Sequence, residues 1–390
     1  MTNLRPIKDV KTEDLKGKRV LLRLDLNVPI NAGVVANGFR LEKARPTIDY
    51  LLKTGAKILI LSHLSQGEAG ASGGGSLRPV ADYYRQYGPM GFIESLEAAN
   101  GWEHRPEPAS LLENLRHWSG EENNDPVFAA SLAALGDLYV NEAFSVSHRA
   151  HASVVGLPAL LPSYAGLNFM AEVESLSLVL EPEKPLLVIL GGAKFKTKLP
   201  LVTKFLPIAD KIFLGGALAS TWLKAGGYEV GVSVVDDDRS LLRPLLNQKK
   251  IIVPSDVIIK TGAGEIEKVA ALAVPADAKI VDVGPEAIRR LSEEISEAKT
   301  VLWNGPLGYF EGGFSTATDE LAEILVRHTR AGLQTIIGGG DTVTAIEKLN
   351  LMDQFTFVST AGGAMLDFLA EGTLPGLRAL ETSQEKFHLG

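Results

Sequence analysis

Short apolar runs recur along the chain at residues 19–24, 57–61, 138–140, 186–190, 211–214, 251–254, 279–282, 300–303 and 335–337. The intervening segments carry helical patterns, as at 44–54. A strand with one wet face alternates apolar and polar residues. Continuously apolar strands separated by helices instead imply parallel sheets covered on both faces, so the expected class is α/β. In such sheets ligands bind beyond the strand C-termini. Nearly every unusual polar segment of this chain falls there.

At 390 residues the chain is too long for one comfortable core, which points to two domains. Pro158 and Pro162 interrupt the pattern, a helical stretch follows at 168–180, and Glu181-Pro182-Glu183-Lys184-Pro185 forms a turn before the next strand. The expected division is an N-terminal domain at 1–165, a linking helix at 166–180 and a C-terminal domain at 181–374. Residues 67–75 are glycine-rich and read as a loop. Cysteine is absent, which removes disulfides, thiolate catalysis and cysteine-based zinc sites. No apolar run approaches a membrane span, and Met1-Thr2-Asn3-Leu4-Arg5 lacks the apolar core of a signal peptide. A cytoplasmic protein is expected, with no membrane partner. A net charge of −8 argues against general nucleic-acid binding.

In Ile336-Ile337-Gly338-Gly339-Gly340-Asp341-Thr342 a strand runs into glycines and then a helical pattern. Glycines allow close backbone approach and positive φ, and a helix start favours an anion. Asp341 adds a carboxylate where phosphate-bound Mg²⁺ would sit. The other reading is a tight turn of any α/β protein. Ile189-Leu190-Gly191-Gly192-Ala193-Lys194 is a second strand into a glycine turn, followed by Lys196 and Lys198. Lys194 and Lys198 share a face if a helix begins there, and lysines at a helix start are costly without an anion. Neither G-x-x-x-x-G-K-[ST] nor G-x-G-x-x-G fits. Gly215-Gly216-Ala217 and Asn304-Gly305-Pro306-Leu307-Gly308 supply small residues where a flat base could lie, or are simply turns.

In the first half, Asp25 and Asn27 lie on one side of the segment after the first strand and suit a small polar ligand, or form a hydrogen-bonded turn. Arg40 is expected in a loop. His63 ends the second strand, Arg116 follows Glu113-Asn114-Leu115, and Arg149 stands between His148 and His151. Together these cations make an anion cleft, since Arg captures carboxylate or phosphate bidentately; scattered surface arginines are the alternative. No Ser-His-Asp order, metal-protease motif or close carboxylate pair is present. Electrostatic chemistry of the phosphoryl-transfer kind fits best.

These motifs, in this order, resemble the phosphoglycerate kinase family over essentially the whole chain. The carrying segments are Arg23–Pro29, Leu61–Leu64, Glu113–Arg116, His148–His151, Gly191–Lys194, Trp303–Pro306 and Gly338–Thr342. The resemblance implies two Rossmann-like domains hinged across a central cleft, with a C-terminal tail of about 375–390 returning to the first. It implies reversible, Mg²⁺-dependent, in-line phosphoryl transfer between 1,3-bisphosphoglycerate with ADP and 3-phosphoglycerate with ATP in glycolysis, after domain closure, by a monomer. Asp25, Asn27, Arg40, His63, Arg116 and Arg149 would bind phosphoglycerate. Arg40, Lys194, Gly339 and Gly340 would act on the transferring group. Gly192, Ala193, Lys194, Lys198, Gly215, Gly216, Asn304, Pro306, Glu311, Gly340, Asp341 and Thr342 would bind nucleotide, with Asp341 on Mg²⁺.

The chain departs from the family pattern at Ser65-Gln66-Gly67, where Gly-Arg-Pro is usual, and at Ser145-Val146-Ser147, where Gly-Thr-Ala is usual. Ala217, Ala317 and Ala361 stand for glycines and would be strained wherever φ is positive. A non-catalytic nucleotide-binding protein of the same family is the alternative. A dinucleotide-dependent dehydrogenase is disfavoured by the missing fingerprint.

Overall fold

The computed structural model describes residues 4–65, 74–193, 195–236 and 240–388. The chain forms two compact units, Met1–Glu174 with Thr373–Gly390, and Ser175–Gly372. The division falls inside the helix Leu167–Leu180, and the last helix, Pro375–Lys386, belongs to the first unit.

In chain order the first unit contains β1 (Arg19–Arg23), a small hairpin of β2 (Ile30–Asn31) and β3 (Val34–Val35), β4 (Lys57–Leu61), β5 (Met90–Ile93), β6 (Ala109–Leu112), β7 (Leu138–Asn141) and β8 (Ser163–Ala165). Six strands form one sheet in the order β5-β6-β4-β1-β7-β8, with parallel pairing throughout. The apolar runs are buried as their composition demands: Val20, Leu22, Ile58 and Ile60 pack with Leu41, Ile48 and Leu51 of the helix Phe39–Lys53. Each such side chain contributes roughly 1.5–3 kcal/mol on burial. The chain moves from β1 to β4 on one side and returns to β7 on the other, so strand order reverses between β1 and β7. Such a reversal opens a crevice at the strand C-termini.

The second unit repeats this plan. A parallel sheet runs β11 (Ile251–Ile252), β10 (Lys211–Leu214), β9 (Leu186–Leu190), β15 (Thr300–Asn304), β16 (Gln334–Gly338), β17 (Phe357–Val358). Its order reverses between β9 and β15. The strands β12 (Asp256–Lys260), β13 (Ile266–Ala270) and β14 (Lys279–Val283) form a separate antiparallel sheet in the order β13-β12-β14.

The run at 279–282 therefore does not join the parallel sheet. The link from β12 to β13 is a tight turn in which the Thr261 amide donates to the Glu265 carbonyl. A turn this short joins only antiparallel strands. The run at 251–254 pairs over Ile251–Ile252 alone. The helix expected at 44–54 begins at Phe39 and accommodates Pro46, because Leu41, Ala44, Ile48 and Leu51 keep one apolar face buried.

Candidate active site

In the first unit, the predicted acid-site residues converge at the C-terminal end of its sheet. Asp25 lies just past β1. Arg40 occupies the first turn of the helix Phe39–Lys53, not a loop, and its Nη1 donates to Asp25 Oδ2 at 2.5 Å. The Ser145 hydroxyl donates to the same oxygen, and the Asn27 amide donates to Oδ1 at 3.1 Å. Burial works against the Asp25 charge, yet Arg40 above all, with the Ser145 hydroxyl and the Asn27 amide, holds its carboxyl below the usual range. Asn27 Oδ1 accepts from the Ser65 amide at 2.9 Å, so this side chain also fixes the segment that follows His63.

His63 is 4% exposed. Burial and the Arg23 charge, with Arg116 and Arg149 adding and Asp25 opposing, push it down to about 3. It is thus neutral at physiological pH and adds no charge to the anion site, contrary to its expected place among the cations. Arg116 donates from Nη1 to Ser65 Oγ at 2.7 Å and pairs with Glu122. Arg149 is exposed and lies within electrostatic range of both His63 and Arg116. Gln66 lies outside the described residues, as do 67–73 of the glycine-rich segment. Arg78 does not stand in for the missing arginine, because its guanidinium pairs with Glu94 and covers the Phe92 ring.

In the second unit, β9 and β15 end in two turns that touch. The Gly191 amide donates to Asn304 O at 2.9 Å and the Gly192 amide to Pro306 O at 2.8 Å. A Cβ on Gly191 would sit 2.2 Å from Pro306 O, so only glycine permits this approach. On β16 the chain turns at Gly339, with φ 101°, into the helix Gly340–Lys348. The Val343 amide makes the first helical bond, to Gly339 O, leaving the amides of Gly340, Asp341 and Thr342 without helical acceptors. Lys198 lies in the first turn of the helix Phe195–Phe205 and is 8% exposed. Burial pushes it down to about 8, against the opposing effect of Asp341. Lys194 lies outside the described residues.

A cavity of about 250 Å³ adjoins these turns, and Gly192, Ala193, Gly216, Pro306, Glu311 and Asp341 line it. The other predicted nucleotide residues support the site from behind. Gly215 packs against Leu307 and precedes the helix Gly216–Ala225. Thr342 is fully buried, and its hydroxyl accepts from the Gly305 amide at 2.7 Å. Asn304 is fully buried beneath Gly339. Among the described residues, no group of three or more His, Asp or Glu side chains is placed to cage a metal. The donor set at Asp341 fits a metal held by one carboxylate and by phosphate oxygens.

The sequence reading missed three features. Asp282 lines the cavity; burial pushes its carboxyl up to about 6, and it accepts from the Ala317 amide at the start of the helix Thr316–Arg330. Lys279 lies over the Tyr309 ring at 4.4 Å, on the same wall. Glu113 and Asn114 tie down the segment on either side of the glycine-rich stretch: Glu113 accepts from the Leu77 amide, and Asn114 bonds both backbone groups of Leu64. All three depend on contacts distant in sequence. Ala217, Ala317 and Ala361 are absent from the residues of positive φ, so none carries the strain anticipated for them.

The sequence model of the phosphoglycerate kinase family matches residues 7–372. The chain is 41% identical to a phosphoglycerate kinase of Chelativorans over 98% of its own length and all of the relative's. It is also 41% identical to one of Thermus thermophilus, covering 94% of this chain and 98% of that one. Among solved structures, phosphoglycerate kinase from Coxiella burnetii superposes with a TM-score of 0.85 at 35% identity, covering 97% of this chain and 99% of that one. That from Pyrococcus horikoshii superposes at 0.83 and 27%, covering 98% and 100%.

Proposed function

The chain belongs to the phosphoglycerate kinase family, and from that premise we propose how its two half-sites divide the work. It catalyses reversible phosphoryl transfer between 1,3-bisphosphoglycerate with ADP and 3-phosphoglycerate with ATP, a step of glycolysis. In our reading Asp25, Asn27, His63, Arg116 and Arg149 bind the phosphoglycerate in the first unit. Arg40 exchanges its bond to Asp25 for the transferring group. In the second unit the amides of Gly340 and Asp341 cradle phosphate, with Gly339 setting the turn and Thr342 bracing it. Lys198 and Lys194 supply positive charge, while Gly192, Ala193, Gly216, Pro306 and Glu311 line the nucleotide cavity, with Gly215 and Asn304 bracing it.

Asp341 would hold Mg²⁺, which when bound neutralises phosphate charge. The observation that carries the reading is the turn at Gly339, which presents the Gly340 and Asp341 amides and the Asp341 carboxylate together. In this reading the protein acts as a monomer. The lack of cysteine suits a cytoplasmic setting.

A linked-enzyme assay with ATP, Mg²⁺ and increasing 3-phosphoglycerate tests the assignment. Arg40→Ala and Lys194→Ala are each expected to lower kcat about 10²–10³-fold, the scale of one preorganised donor to developing charge. If both variants match the parent, the site assignment fails. Gln66→Arg is expected to lower the half-saturating concentration of 3-phosphoglycerate about tenfold, as one charged hydrogen bond would.

A further inference from the structure

Behind the acid site lies a buried chain of charge that the reaction scheme leaves unused. Arg23, at the end of β1, is 1% exposed and Glu121 is fully buried. A single hydroxyl joins them: Arg23 Nε donates to Ser153 Oγ at 2.8 Å, and Ser153 Oγ donates to Glu121 Oε1 at 2.5 Å. The Ser153 amide donates to Glu121 Oε2 at 2.9 Å, so the carboxylate grips this serine at two points. Glu121 Oε1 also lies 3.9 Å from His151 Nδ1. A buried guanidinium needs a nearby countercharge, and this arrangement supplies one through a fixed bridge.

The far end of Arg23 reaches the active site. Its Nη1 donates to the Leu24 carbonyl, and its Nη2 lies 3.4 Å from His63 Nδ1. A guanidinium has only donors, so Nδ1 must be the acceptor and the ring proton must sit on Nε2. Among the described residues, only Nδ1 of this ring has a hydrogen-bond partner.

We propose that Glu121, Ser153 and Arg23 form a positioning chain that fixes His63 as the neutral imidazole protonated on Nε2. His63 then serves the acid site as a directed hydrogen-bond donor, not as a cation. The groups that face it agree: among the described residues Arg23, Arg116 and Arg149 disfavour a second proton, and Asp25 favours it. A neutral donor keeps its direction across the physiological range, whereas a titrating histidine would make substrate affinity depend on pH.

Nitrogen-15 NMR of the ring in the full, ligand-free chain reads the tautomer, with His63 identified by its loss in His63→Gln. The expected spectrum shows an unprotonated Nδ1, a protonated Nε2 and no titration between pH 5 and 8. A ring protonated on Nδ1, or one titrating near the ordinary histidine value of about 6.5, overturns the proposal. Ser153→Ala removes the hydroxyl bridge. It is expected to mix the tautomers and to raise KM for 3-phosphoglycerate about three- to tenfold, the size of one neutral hydrogen bond, with KM for ADP unchanged. Ser153→Thr restores both. A Ser153→Ala ring identical to the parent's refutes the chain. Only the kinetic arm rests on the functional reading above. A protein inactive with 3-phosphoglycerate but with the expected ring would fail that reading and leave this one standing. The parent spectrum needs no variant, so it decides the matter even if Ser153→Ala does not fold.

Discussion

Lys198 is a cation buried at a helix start, where the dipole repels it and solvent cannot compensate. Its folded pKa of about 8 lies below the ordinary 10.5. The folded state therefore binds fewer protons than the unfolded chain between those values, and this residue's penalty on stability is relieved as pH rises through that window. An anion reverses the preference, because phosphate favours the charged amine. ADP affinity by calorimetry is expected to fall as pH rises above about 8, and Lys198→Met is expected to lower affinity and flatten that dependence. A parent whose affinity is constant from pH 7 to 9.5 would contradict this account. At Asp341, removing the charge should act through the metal. Asp341→Asn is expected to raise the Mg²⁺ concentration for half-maximal rate and lower kcat/KM for nucleotide roughly ten- to a hundredfold, as one charged contact would.

The start of the helix Leu167–Leu180 takes a cap from two distant segments. The Thr47 hydroxyl accepts from the Leu167 amide, and Glu142 accepts from the Asn168 and Phe169 amides and from Thr47 Oγ1. Burial pushes Glu142 up to about 7 in spite of these donors. A carboxyl raised from 4.5 binds more protons folded than unfolded between pH 4.5 and 7, so its contribution to stability falls as pH rises through that window. Thermal unfolding of Glu142→Gln is therefore expected to compare better with the parent at pH 8 than at pH 5; a difference independent of pH would refute the assignment. No local pattern announces this cap, since its members lie 26 and 95 residues apart. What was legible is what local physics determines: continuously apolar strands, and a glycine turn such as Gly338–Gly340 that only one backbone path satisfies. Arg40 was misplaced because the first turn of the helix Phe39–Lys53 buries only Leu41, so the apolar period becomes visible only from Ala44 onward. The sheet β13-β12-β14 was missed because β13 is largely exposed and so carries no continuous apolar run. The neutrality of His63 is set by its burial and then by Arg23, 40 residues away.

Transfer between a carboxylate and a nucleotide requires both to meet with water excluded, although each half-site belongs to a different unit. Small-angle scattering is expected to show a smaller radius of gyration with 3-phosphoglycerate and an unreactive ATP analogue together than with either alone. An unchanged radius would count against closure. The first unit also has an unusual make-up, because its last helix comes from the far end of the chain. The Gly376 amide donates to Ser147 O at 2.8 Å, and Ser383 Oγ donates to Leu161 O at 2.9 Å. A ribosome that has reached Gly372 has therefore delivered every residue of the second unit, while the first, begun earlier, still lacks its closing piece. The half begun second is thus the first whose sequence is complete, and a chain that stops at Gly372 keeps all of the second unit while lacking the last helix of the first.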